Sequence, residues 1–140
     1  VGYLGYNASI GHCYDFSKTN TLESSLSYTE RAPTAQELYS NGEHVATGTF
    51  EIGDSSLVKE KATAFEVTYK NNTDKNTFTG SIYTQVFKDY VALTPNGLQN
   101  GGVDEFEYTQ TDALFYGIDL DNRSEIKKME KGSLFLINKF

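Results

Sequence analysis

Five residues on one polar stretch carry most of the chemistry this chain could do: Glu37, Glu43, His44, Glu51 and Asp54. An imidazole among carboxylates is a donor set that suits zinc, which takes three or four such ligands. His44, Glu43 and Glu51 are the candidate metal set, and His44, Glu43 and Glu37 the candidate ligand-binding set. The competing reading is that these are solvated charges on a polar loop, because no His-x-His accompanies His44. Enzyme motifs are absent. Ser56–Lys59 spells Ser-x-x-Lys without the Ser-Asp-Asn or Lys-Thr-Gly that would complete it. Gly97–Gly102 has the wrong spacing for a phosphate loop. Asp119 and Asp121 share a strand face but lack calcium-loop spacing. No convergent acid–base set appears, so the chain reads as a non-enzyme with no certain cofactor.

The elements that must position these residues are strands. Period-two alternation recurs in Tyr3–Phe16, Thr21–Thr29, Ala62–Lys70, Thr77–Leu93 and Phe106–Asp121, each bounded by turn residues. In Thr21–Thr29, Leu22, Leu26 and Tyr28 oppose Glu23, Ser25, Ser27 and Thr29. His12 places a polar ring on the apolar parity of the first run. Between these runs lie a polar turn at Ser17–Asn20, a long connection at Ala32–Lys61, a second turn at Asn71–Asn76 and a second long loop at Thr94–Glu105. In the first long connection, Thr34–Tyr39 predicts one helical turn, stopped by Gly42. Pro33 fixes its own φ and holds Ala32 extended, ending the strand, and Arg31 pairs with Glu30, Glu37 or another loop acid. The tail reads as a charged helix or loop at Glu125–Lys131 and one more strand at Ser133–Phe140.

Connections that alternate short, long, short, long are those of outer-membrane barrels, with short periplasmic turns and long extracellular loops. The strands exceed the five or six residues usual in globular sheets. About ten residues cross the hydrocarbon layer when a strand is tilted. One parity carries Leu, Ile, Val, Phe and Tyr; the other carries Ser, Thr, Gln, Glu and Lys. In a barrel these face lipid and a wet interior; in a soluble sandwich they would be core and surface. The fold class is therefore all-β, an antiparallel up-and-down meander of about five or six long strands forming a segment of a transmembrane β-barrel.

Composition narrows the classes further. With 12 basic and 19 acidic residues, net charge −7 and no basic cluster, nucleic-acid binding is excluded. A single cysteine, Cys13, rules out an intrachain disulfide and a cysteine metal cluster. No apolar run reaches the ~20 residues of a transmembrane helix. The opening residues VGYLGYNASIG lack a charged start and apolar core, so no signal peptide is expected and the chain reads as part of a longer protein.

Four pieces in order, SYTERAPTAQELYSNG at Ser27–Gly42, GTFEIGDSSLVKEK at Gly48–Lys61, VFKDYVALTPNG at Val86–Gly97 and FEYTQTDALFYGIDLD at Phe106–Asp121, resemble the late barrel strands of TonB-dependent outer-membrane receptors, especially the zinc-uptake branch. The resemblance runs from about Tyr6 to Asp121. It divides the chain into a partial receptor barrel, residues 1–121, and a charged tail with a possible last strand, residues 122–140. It implies the outer membrane of a Gram-negative bacterium and active uptake of a metal such as zinc, or of a chelate such as haem or a siderophore. The implied partners are outer-membrane lipid, a TonB-type energy-coupling protein and a small-molecule or metal ligand, with His44 a candidate for capturing the metal. The family's barrel has 22 strands around a plug; no plug counterpart is present in this sequence. Because an open barrel segment leaves two edges and an apolar face unpartnered, the segment alone is expected to be insoluble or associated. The alternative is a soluble β-rich carbohydrate- or peptide-binding module with a tyrosine-lined face.

Overall fold

The computed structural model describes residues 2–140. Strand accounts for 75% of the chain and helix for 4%. The elements are β1 (Asn7–Ser17), β2 (Asn20–Arg31), α1 (Ala35–Tyr39), β3 (Asn41–His44), β4 (Thr49–Ile52), β5 (Glu60–Asn72), β6 (Asn76–Asn100), β7 (Val103–Met129) and β8 (Gly132–Lys139). They form one open sheet in the order β1-β2-β5-β6-β7-β4-β3, with β8 also on β7. The long strands β1, β2, β5, β6 and β7, with β8, are the expected meander. The pairing of β4 with β7 is parallel, Phe50 lying opposite Glu105 and Ile52 opposite Glu107.

Three expectations are corrected. Thr94–Glu105, anticipated as a loop, is strand except for a turn at Gly101–Gly102, because β6 and β7 continue as one long hairpin. Both turn glycines have positive φ, 63° and 91°, a region closed to most side chains. Gly42 does not stop the helix; α1 ends at Tyr39, its cap is Ser40, and Gly42 lies within β3. Glu125–Met129, expected as helix or loop, continues β7 and pairs with β8 around a bulge between Glu125 and Lys127. There the backbone ladder outweighs the local preference of a Lys- and Glu-rich run.

The chain forms two compact units, each assembled from segments far apart in sequence. One comprises residues 8–27, 63–85 and 114–140. It is sheet with apolar residues on one parity, and Ile10, Tyr14, Phe16, Leu26, Phe65, Ile82, Leu114, Tyr116 and Ile118 are exposed. Aromatic rings meet along it: Tyr14 and Phe16 edge to face at 4.9 Å, and Tyr69 with Phe78 at 6.2 Å. His12, the polar exception in this row, is exposed too. The opposite parity holds polar contacts, with Lys70 on Glu23 at 2.7 Å, the Thr68 and Ser81 hydroxyls 2.8 Å apart, and Thr68 donating to Glu66 at 2.8 Å. Tyr83 lies over Gly117, where any added Cβ would stand 2.5 Å from the phenol oxygen. A side chain here would have to displace the Tyr83 ring.

The other unit comprises residues 2–7, 28–62 and 86–113 of the described chain. Its core is small: Leu38 of α1, Leu57 and Val91 of β6, flanked by Tyr3 and Tyr108. Burying each of the three aliphatic side chains contributes roughly 1.5–3 kcal/mol. Such a core needs polar reinforcement, and this unit supplies it.

Candidate functional site

The reinforcement begins where β2 ends. Thr34 caps α1: its hydroxyl accepts from the Glu37 N–H at 3.2 Å, while Glu37 accepts from the Thr34 N–H at 2.7 Å. This reciprocal box stabilises a helix of five residues, too short to persist alone. Arg31 clasps both Glu37 oxygens at 3.0 and 2.9 Å and reaches Glu60 at 3.4 and 3.2 Å. Glu60, at the start of β5, is buried and also accepts the Val91 N–H at 3.0 Å. Of the partners expected for Arg31, Glu37 is found and Glu30 is not; Glu30 instead pairs with Lys59.

Gly53 returns the chain against the end of α1. Its N–H donates to Ser40 at 2.7 Å, and the Asp54 N–H donates to Glu37 at 2.9 Å. A Cβ at Gly53 would lie 2.5 Å from the Tyr39 nitrogen and 2.6 Å from that of Ser40. The approach is possible only without a side chain. Asp54 then accepts from the backbone and hydroxyl of Ser56 at 2.8 and 2.7 Å.

On this base stands a cleft beside Gln36, Asn41, Glu43, His44 and Glu51. Glu51 is its buried member, 3% exposed. One carboxylate oxygen accepts from Gln36 at 2.9 Å and from the Tyr108 hydroxyl at 3.0 Å. The other lies 3.7 Å from the His44 Nδ1, which is also 3.0 Å from the Thr47 hydroxyl. Burial first, and the Glu51 carboxylate next, push the Tyr108 phenol upward. Glu51 thus ties α1 and β7 together and faces His44 from below.

The structure therefore brings His44 and Glu51 together and sets Glu43 beside them on the exposed strand β3. It places Glu37 elsewhere, in the helix cap and the Arg31 clasp. Among the described residues no three His, Cys, Asp or Glu side chains are grouped to hold a metal. Gln36 and Tyr108 were missed as site residues, since nothing in their spacing joins positions 72 apart. The Thr34-x-x-Glu37 spacing was a readable capping signal.

Charge is divided unequally. The unit holding this cleft carries eleven acidic and four basic side chains, and the strand unit eight of each, so the whole net charge of −7 lies on the cleft unit.

An open sheet of long strands, apolar on one parity and polar on the other, with turns of two or three residues and one heavily elaborated connection, defines a segment of an outer-membrane-type β-barrel. The chain belongs to the TonB-dependent receptor-like β-barrel family, whose model matches residues 3–137. Solved structures share the fold. The Copper transporter OprC aligns at TM-score 0.70 and 20% identity over 85% of this chain and 18% of its own. The siderophore receptor PirA from Pseudomonas aeruginosa aligns at 0.64 and 14% identity over 95% of this chain and 28% of its own. The FrpB iron transporter from Neisseria meningitidis aligns at 0.57 and 22% identity over 86% of this chain and 17% of its own. The chain thus spans less than a third of each of these proteins.

Proposed function

We propose that this chain is part of an outer-membrane receptor for active nutrient uptake, in which the strand unit crosses the bilayer and the cleft unit meets the cargo outside. The observation that carries the reading is the exposed apolar parity of the strand unit, from Ile10 to Ile118. A soluble module would bury that face, which also disfavours the carbohydrate- or peptide-binding alternative. Strand length agrees: β6 and β7 have 25 and 27 residues. Crossing needs about 10, and residues 86–100 of β6 and 103–113 of β7, which belong to the cleft unit, remain for the outward hairpin.

The charge division supports a cationic cargo, a metal ion or a positively charged chelate, since a one-signed surface concentrates its counter-ions. His44 and Glu51, with Glu43 at the rim, are the side chains that would meet it. They are two or three donors, so a bare zinc ion would take further ligands from the rest of the receptor or from a carrier. Family membership supports coupling of the intact receptor to a TonB-type protein and its residence in the Gram-negative outer membrane.

The test is uptake by cells expressing the intact receptor, with labelled zinc, copper and an anionic ferric chelate compared. Cation uptake that requires TonB and falls severalfold in His44→Ala is expected. Transport of the anionic chelate alone, unchanged by His44→Ala, would reject the cation reading. No TonB-dependent uptake of any cargo would reject the receptor reading itself.

A further inference from the structure

Glu51 is buried, and among the described residues neither Lys nor Arg pairs with it. Its Oε2 accepts from Gln36 Nε2 at 2.9 Å and from the Tyr108 hydroxyl at 3.0 Å. The same Gln36 amide donates to the Tyr108 oxygen at 3.1 Å, closing a ring of side chains from α1, β4 and β7. Oε1 stands outside that ring and faces the His44 imidazole, with Nδ1 at 3.7 Å. A carboxylate held by neutral donors alone is costly to bury. Among the described residues His44 is the neighbour able to bring positive charge to it.

The register explains the meeting. Gly42 lies opposite Glu51 and His44 opposite Thr49, so His44 and Glu51 share a sheet face as diagonal neighbours. Gly42 puts no side chain between them. The contacts also place the ring proton. The Thr47 hydroxyl donates to the His44 carbonyl at 3.2 Å, so its oxygen is an acceptor towards Nδ1, 3.0 Å away. Nδ1 thus faces two acceptors, the Thr47 oxygen in hydrogen-bonding range and Glu51 Oε1 just beyond it. That assigns the N–H to Nδ1 and the lone pair to Nε2.

We infer that Glu51 is a positioning residue that takes part in cargo capture through His44: it keeps the ring with Nδ1–H inward and Nε2 as the donor offered to the cation. This rests on the cation-uptake reading and narrows it. A neutral imidazole nitrogen needs an open coordination position on its partner, so the fitting cargo is a bare or partly ligated zinc or copper(II) ion. A chelate with every position filled would gain nothing from the ring. As Nε2 takes the ion, the ring becomes more positive and Nδ1–H binds the carboxylate behind it more strongly, which raises affinity. Further ligands must come from elsewhere, because no three metal-binding side chains are grouped among the described residues.

The test uses the intact receptor in detergent micelles with isotopically labelled histidine. Nitrogen NMR of the metal-free protein reads the His44 tautomer, assigned by difference from His44→Ala, and equilibrium dialysis reads binding of zinc ion alone. Glu51→Gln keeps an acceptor for Gln36 and Tyr108 but removes the charge and turns an amide towards Nδ1. It should shift the proton to Nε2 and weaken the His44-dependent zinc binding about 10- to 100-fold. Thr47→Val removes the other acceptor and should keep the Nδ1–H tautomer with a smaller loss. Amide protection of Gly42 and Glu51 checks the β3–β4 hairpin; if Glu51→Gln loses it, Glu51→Asp, which draws the charge back from the ring, replaces it with the same direction expected. A wild-type Nε2–H tautomer, zinc binding that falls in His44→Ala but not in the Glu51 variant, or an equal loss in Thr47→Val would each overturn the inference and leave the cation reading standing. Zinc binding indifferent to His44→Ala would overturn both.

Discussion

Gly53→Ala tests whether the cleft is carried by the packed turn beneath it. The new methyl would sit 2.5 to 2.7 Å from the Tyr39 and Ser40 nitrogens and the Leu38 carbonyl carbon, where ordinary contact begins at 3.4 Å. All three are backbone, so no rotamer relieves the clash. Separation by about 1 Å would lengthen Gly53 N–Ser40 O from 2.7 Å and Asp54 N–Glu37 O from 2.9 Å beyond bonding range. Two net hydrogen bonds at about 1 kcal/mol each and overpacking of about 1–3 kcal/mol sum to roughly 3–5 kcal/mol. Confined to this turn, that is about a 10²–10⁴-fold loss of amide protection at residues 38–40 and 53–54, at about 1.4 kcal/mol per tenfold. Hydrogen exchange of the micelle-refolded receptor reads it directly. Gly42→Ala, in open space, should change these amides little. Equal protection in the two variants would refute the reasoning.

Two further outcomes follow from the same unit. Arg31→Ala should cost about 1–2 kcal/mol, less than the 3–5 of a fully buried pair because the Arg31 side chain is 42% exposed; chemical denaturation followed at α1–β4 by limited proteolysis measures it, and wild-type cleavage rates would contradict the clasp. The Lys59 ammonium and the Tyr28 hydroxyl hold the Glu30 carboxyl at about 2 against an ordinary 4.5, and the Ser56 hydroxyl and N–H hold Asp54 low. Burial opposes the ionised form of Glu37, but the hydrogen bonds from Arg31 and the Thr34 N–H leave it below its ordinary value. Depressed folded-state values give stability that is complete above about pH 4.5 and lost as pH falls towards 2. Proteolysis by an acid-active protease should therefore rise between pH 4.5 and 2; a rise already complete above pH 5 would rule these carboxylates out as the cause.

The long strands were legible because one face must be apolar: Leu22, Leu26 and Tyr28 against Glu23, Ser25 and Ser27 leave little choice of period. Thr94–Glu105 was not legible as strand. Pro95, Gly97 and the glycine pair are loop residues locally, and what makes the stretch extend is β7 lying alongside, with Asn96 donating to Glu105 at 2.7 Å and the Thr94 and Thr109 hydroxyls 3.2 Å apart. The charges of the first long connection could be seen, but not their division of labour. Glu37 and Glu51 look alike in sequence; tertiary packing makes one a helix cap and the other a buried acceptor under His44. The parallel pairing of β4 with β7 links residues some fifty apart, a distance over which periodicity carries no information.

The hairpin of β6 and β7 also sets an order of events. Its strands, the longest in the chain, are neighbours joined by Gly101–Gly102 alone. Pairing can start at that turn and proceed rung by rung, closing one small loop once and almost none thereafter. The segment α1–β4 must wait, because β4 has no partner on β7 until that strand is in place. The barrel arm would thus form early as a low-contact-order zipper, and the cleft it carries would be the last part of the chain to become native.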